Sequence, residues 1–319
     1  MIHLCLAAFI FCLHIPGQTQ TNANKPALQS DVELFMPMFI SDGFSNRDLA
    51  ISPDGKELFY TIMHRGGVYS CLMTSKKNGN QWSEPAIVSF SGHYNDLEPF
   101  FSNNGKRLYF SSNRPLADTG KRKDYDIWYV DKLDNGNWGK PVNMGAPINS
   151  SQNEFYPSVA NNGNMYFTRV LQKETGEDIV VCEKTANGYL PPVRLPEAVN
   201  SNGDEFNAFV SPKEDYIIFS SADRKDELGG GDLYISFKKG GNWQTAAPMP
   251  AQINSKSLDY CPFVTADGEY FYFTSNRSVL SIPMATKPAD IKKTLSSPQN
   301  GFDDIYRIPF KKILTHFGM

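Results

Sequence analysis

Short runs of apolar, β-forming residues alternate along the chain with polar turns rich in Gly, Asn, Asp and Pro. The turns recur as SPDG from Ser52, SNNG from Ser102, ANNG from Ala160, SPKE from Ser211 and TADG from Thr265, at intervals of 50, 58, 51 and 54 residues. Self-similarity at that period marks a solenoid or a propeller. Each turn has an apolar run on both sides, as in "LAIS" before and "ELFYT" after, which predicts two strands joined by a tight hairpin. A third strand follows a loop of variable length: "GVYSCLM", "DIWYVDK", "DIVVCEK", "DLYISFK" and "DIYRIPF". A fourth is expected after the Gly/Asn turns that precede Trp82, Trp138 and Trp243. Four antiparallel strands per unit make a propeller blade rather than a helical repeat.

Twelve residues before each turn stands an apolar residue: Ile40, Phe90, Ile148, Val199 and Ile253. "VELFMPMFIS" at 32–41 therefore reads as a fourth strand with no blade in front of it, while the last unit stops after its third strand. Pairing the two gives an all-β, five-bladed propeller whose N-terminal strand completes the last blade and leaves no open sheet edge.

The N-terminus has another pattern. "MIHLCLAAFIFCLHIPGQTQT" carries an apolar run too short to cross a membrane, then Pro16, Gly17 and polar residues, which predicts a signal peptide over 1–20 and a linker over 21–31. The propeller is expected over 32–310, with a tail at 311–319. The mature chain is then periplasmic or secreted, with no membrane span. Removing the signal leaves Cys71, Cys182 and Cys261, an odd number of thiols inside apolar runs, expected to be free and packed. A formal charge of −3 over 319 residues gives no bias toward nucleic acid.

Candidate chemistry gathers at the start of each first strand, where Asn46, Asp96, Glu154, Glu205 and Asp259 recur and four of the five are acidic. Two residues on, and on the same side if side chains alternate, come Asp48, Glu98, Tyr156, Asn207 and Cys261. A ring of carboxylates at a narrow mouth needs positive compensation. Arginines at the end of the second strands, Arg65, Arg114, Arg169, Arg224 and Arg277, would supply it as ionic staples; a bound Ca²⁺ at the acidic channel mouth is the alternative. Asp126, Asp178, Asp232 and Asp304 read as turn caps at the start of the third strands. The loops between second and third strands differ most between units, reaching "SVLSIPMATKPADIKKTLSSPQNG" in the last, where Thr286 and Pro288 allow one short helix. With Lys121, Arg122 and Lys292 they offer basic contacts to a ligand. No catalytic motif is assembled: GxSxG, HExxH, a phosphate-binding Gly-Lys loop and CxxC are absent.

The succession SPDGK, LYFSSNR, DIW or DLY, then GxW resembles the TolB-like, WD40-like β-propeller repeat (PD40) common in bacterial envelope proteins. That resemblance covers about residues 32–310. It implies a propeller, six-bladed in TolB itself, and no particular activity. The expectation is a non-catalytic exported scaffold that binds a protein, peptide or glycan at its upper face through Asp96, Glu98, Glu154, Glu205, Asp259, Arg114, Arg277, Lys121, Arg122 and Lys292, with no cofactor. The competing expectation is a carbohydrate-active hydrolase using Asp96, Glu154, Glu205 and Asp259 around the channel.

Overall fold

Four of the five recurrent turns are closed by the hydroxyl of their first residue, the exception being the turn at Ala160. The Ser52 hydroxyl accepts from the backbone N–H groups of Lys56 (3.2 Å) and Glu57 (2.9 Å), and Gly55 takes φ +68°, a conformation that disfavours a Cβ. Ser102 bonds the Arg107 N–H in the same way (3.0 Å), and Ser211 bonds those of Asp215 and Tyr216. The hairpins so fixed become the inner half of each blade.

A computed structural model describes residues 31–117, 120–172, 176–280 and 287–319. The expected signal peptide, nearly all of the linker and Thr286 lie outside the described residues. Five four-stranded antiparallel blades follow in chain order. The first holds Ser45–Ile51, Glu57–Met63, Ser70–Asn78 and Ala86–Ile87; the second Asp96–Phe101, Arg107–Ser112, Asp126–Asp131 and Val142–Asn143. The third holds Glu154–Val159, Met165–Gln172, Gly176–Cys182 and Val193–Arg194; the fourth Asp204–Val210, Tyr216–Ala222, Asp232–Lys239 and Ala247–Pro248. The fifth is Asp259–Val264, Tyr270–Ser275, Asp304–Pro309 and, from the other end of the chain, Glu33–Leu34. Glu33 pairs with Arg307 and Leu34 with Tyr306, so the ring closes through the N-terminus with five blades, not six.

Aromatic side chains fill the space between blades. Phe59 of the first blade meets Phe101 of the second edge-to-face at 5.5 Å and Trp138 at 5.8 Å, while the Trp138 indole donates to Glu57 Oε1 (3.2 Å). Cys71, Cys182 and Cys261 are buried and free.

Three expectations are corrected. Of 32–41 only Glu33–Leu34 is strand: Met36 and Met38 turn at φ +45° and +63°, and Ile40 is buried beyond the turn. The residues at Trp82, Trp138 and Trp243 pair back on the tails of the third strands, Lys77 with Trp82 and Lys238 with Trp243, and the outer strands come a few residues later. The folded unit also runs past 310, because the helix Phe310–His316 buries Phe310 and Ile313 and sets Phe317 5.9 Å from Phe237.

Candidate functional site

Side-chain alternation fails at one place in every first strand. The register against the second strand slips between Arg47 and Ala50, Leu97 and Phe100, Phe155 and Ser158, Phe206 and Phe209, and Tyr260 and Phe263. On each bulge sits a non-glycine residue in the left-handed region: Asp48 (φ +59°), Glu98 (+60°), Tyr156 (+52°), Asn207 (+49°) and Cys261 (+54°). A bulge frees a backbone N–H from its ladder. A hydroxyl on the second strand of the preceding blade takes three of these: Thr274 for Asp48 (3.4 Å), Thr61 for Glu98 (3.2 Å) and Thr168 for Asn207 (3.0 Å). The Tyr156 N–H goes to Glu98 Oε2 at 2.7 Å.

The five bulge residues meet in a buried polar core, completed by Arg47. Arg47 Nε donates to Asp48 Oδ1 (2.8 Å), and Nη2 reaches Glu98 Oε1 and Cys261 Sγ (both 3.4 Å). The Cys261 thiol donates to Asp48 (2.7 Å), Asn207 donates to Glu98 (3.2 Å), and the Tyr156 hydroxyl donates to the Pro262 carbonyl (3.0 Å). Burial, reinforced by Asp48 and opposed by Arg47, pushes the Glu98 carboxyl up to about 8. Burial pulls the Arg47 guanidinium down, but Asp48 leads the charges that hold it well above its ordinary value.

Above this core opens a pocket of ≈310 Å³. Leu97, Phe155, Phe206, Leu258, Tyr125 and Tyr260 wall it; Arg47, Glu98, Asn207 and Thr168 reach its floor; Glu177, which starts the third strand of the third blade, stands at one side. Burial and the neighbouring Asp204 push Glu177 up to about 6. The opposite end of the channel holds a second, apolar pocket of ≈220 Å³ lined by Ile51, Phe100, Phe209 and Phe263.

The carboxylates singled out in the sequence lie elsewhere. Asp96, Glu154, Glu205 and Asp259 are fully buried, each against the arginine of its own blade: Arg114–Asp96 2.5 Å, Arg169–Glu154 2.9 Å, Arg224–Glu205 2.8 Å and Arg277–Asp259 2.7 Å. Each arginine also donates to a carbonyl of the segment arriving from the preceding blade: Phe90, Ile148, Val199 or Ile253. The compensation left open between arginine and cation is therefore supplied by arginine, and among the described residues no group of three or more His, Cys, Asp or Glu is arranged for a metal. The first blade is the exception: Asn46 bonds Asp42 (2.7 Å), and Arg65 is exposed over the Phe302 ring. Of the other residues named, Glu98 and Asn207 reach the pocket; Lys121 and Arg122 are exposed on a loop, and Lys292 is exposed within the helix Pro288–Leu295. Asp232 and Asp304 cap their loops, accepting from the N–H of Leu228 (2.7 Å) and Gln299 (2.6 Å).

The pocket had a sequence signal. The position just before each bulge reads Arg47, Leu97, Phe155, Phe206 and Tyr260, an apolar column broken once, and the break is the cation of the channel. Glu177 had none, since nothing marks it among the loop residues.

No family model matches the chain, and neither does any curated protein. Among solved structures, an endo-arabinase from Bacteroides thetaiotaomicron is similar at 15% identity and TM-score 0.54, over 87% of this chain and 97% of that one. An α-L-arabinanase from Penicillium chrysogenum, complexed with arabinobiose, is similar at 16% identity and TM-score 0.48, over 85% and 78%. A puromycin-hydrolyzing peptidase from Mycobacterium tuberculosis gives 10% identity and TM-score 0.42, over 72% of this chain and 34% of that chain. The first of these likenesses supports the fold. This chain is a β-propeller.

Proposed function

We propose that the protein is a non-catalytic, exported binding protein of the cell envelope that takes part of a peptide or glycan ligand into the upper mouth of its channel. The observation that carries this reading is the pocket itself: aromatic walls above a polar floor, open at one end of a rigid ring. The carboxylates that a propeller hydrolase would draw from its first strands are each held by an arginine, and Glu98 is bonded by Ser111, Tyr156, Asn207 and Arg47. Such carboxylates have no free oxygen to offer a scissile bond. The test is a pulldown of peptidoglycan fragments and neutral polysaccharides by the mature protein, repeated with Phe206→Ala. Capture lost in the folded variant supports the mouth as the site; capture unchanged removes it.

A hydrolase reading has one observation in its favour: Glu177 lines the pocket without a clamping arginine among the described residues, and its carboxyl is pushed upward, as a general acid requires. Release of reducing ends from arabinan, abolished by Glu177→Gln, would establish it over simple binding.

A further inference from the structure

Glu177 is out of place in a pocket walled by apolar rings. It is half-buried, and among the described residues its carboxylate takes part in no ion pair. A second carboxylate lies against it: Asp204 Oδ1 accepts the Glu177 backbone N–H at 2.9 Å. The approach is close enough that a Cβ on Gly176 would fall 1.9 Å from that oxygen, and Gly176 stands at φ +76°, so glycine is demanded twice over. Arg47 acts on this charge only across the pocket, because its guanidinium is bonded to Asp48 and Glu98 and lies 4.6 Å over the Tyr260 ring. The pocket thus already holds one cation against an aromatic face and keeps a carboxylate for another.

Resting on the mouth as the binding site, we propose that it takes an ammonium group carried on a short apolar stem, as on a lysine side chain of a peptide, with Glu177 receiving the charge. The stem would lie between Phe155, Phe206, Leu97 and Leu258, whose carbon surface is covered by methylenes without loss of hydrogen bonds. The ammonium would meet ring faces and a carboxylate together, and a partly desolvated cation gains from both. A volume of ≈310 Å³ stands at the low end of the roughly 300–1,000 Å³ of ligand pockets, which suits one side chain. An anionic group would be repelled by Glu177, and a neutral sugar would leave its charge uncompensated.

The test is calorimetric titration of the whole mature protein with Nα-acetyl-lysine methylamide, its norleucine isostere and arabinotriose, on wild type, Glu177→Gln and Phe206→Ala, each variant checked for an unchanged melting curve. The lysine probe should bind about tenfold more tightly than norleucine, a preference that Glu177→Gln removes, while Phe206→Ala weakens both. Equal binding of lysine and norleucine, or a lysine preference that survives Glu177→Gln, overturns the proposal. Binding of arabinotriose alone, lost in Phe206→Ala, overturns it but keeps the mouth as the site. Binding of any probe unaffected by Phe206→Ala, or no binding at all, overturns both.

Discussion

Two buried carboxyls stand two residues apart in the first strand of the second blade, and they respond differently to substitution. Asp96 is fully buried, with Ser91, Ser112 and Arg114 as partners. Removing the guanidinium leaves a carboxylate in the interior with two hydroxyls, so Arg114→Ala should lower stability by about 3–5 kcal/mol in urea denaturation. Glu98 is the opposite case, because burial, helped by Asp48, favours its uncharged form over the pull of Arg47. With its carboxyl moved from 4.5 up to about 8 in the fold, no penalty exists below the unfolded value; the penalty accumulates as pH rises between the two, since only the unfolded chain releases the proton. Stability should therefore fall from about pH 4.5 to pH 8 through this group. Glu98→Gln keeps a neutral acceptor for Tyr156 N–H and should flatten that part of the slope, read as the difference between variant and wild-type denaturation midpoints across pH.

At the scale of strands, one device ties the second, third and fourth blades to the segments that leave them. Asn200 accepts the Ile179 N–H (3.0 Å) and donates to its carbonyl (2.8 Å), and Asn149 and Asn254 do the same for Ile127 and Leu233. The serine that follows, Ser150, Ser201 or Ser255, bonds the next blade's first-strand carboxylate. The repeated Ile-Asn-Ser or Val-Asn-Ser is thus a joint, and its first residue is the apolar position twelve before each turn. Asn200→Ala leaves the buried Ile179 N–H unpaired, while the Ile179 carbonyl keeps the Leu195 N–H, and should cost about 1–3 kcal/mol, whereas Asn187→Ala, in an exposed turn, should cost little in the same denaturation assay. Hairpins, blade count and N-terminal closure were legible because turn residues and apolar runs declare them locally. The bulges were not: alternation at period two placed residue 98 on the same side as residue 96, and only the register slip turns Glu98 into the channel while Asp96 folds back on Arg114. The pairings of Trp82 and Trp243 on the tails of the third strands were not legible, because the Gly/Asn turns before them announce a hairpin without saying how far the chain runs before the outer strand.

For the molecule as a whole, what matters is that the ring has a single covalent gap, and the gap is bridged from inside. Glu33–Leu34 supplies the outer strand of the fifth blade, Phe35 packs edge-to-face on Tyr272 at 5.0 Å, and the Ser41 hydroxyl makes the joint to Ile305 that asparagines make in the second, third and fourth blades. Ile40 and Phe35 are buried there, so the segment is part of the core and not an appendage. Deleting residues 31–42 should expose the Asp304–Pro309 edge and the apolar surface beneath it, giving broadened, non-cooperative unfolding and aggregation. Replacing 280–298 by a Gly-Ser turn is the matched control, because the helix Pro288–Leu295 buries none of its residues and loop length affects closure only logarithmically. The control should melt within a few degrees of wild type in calorimetry while the deletion does not melt as one unit. A deletion that still unfolds in one sharp transition at the wild-type temperature would mean that the other four blades hold the fifth in place, and that the N-terminal strand is a cover on the ring and not its closure.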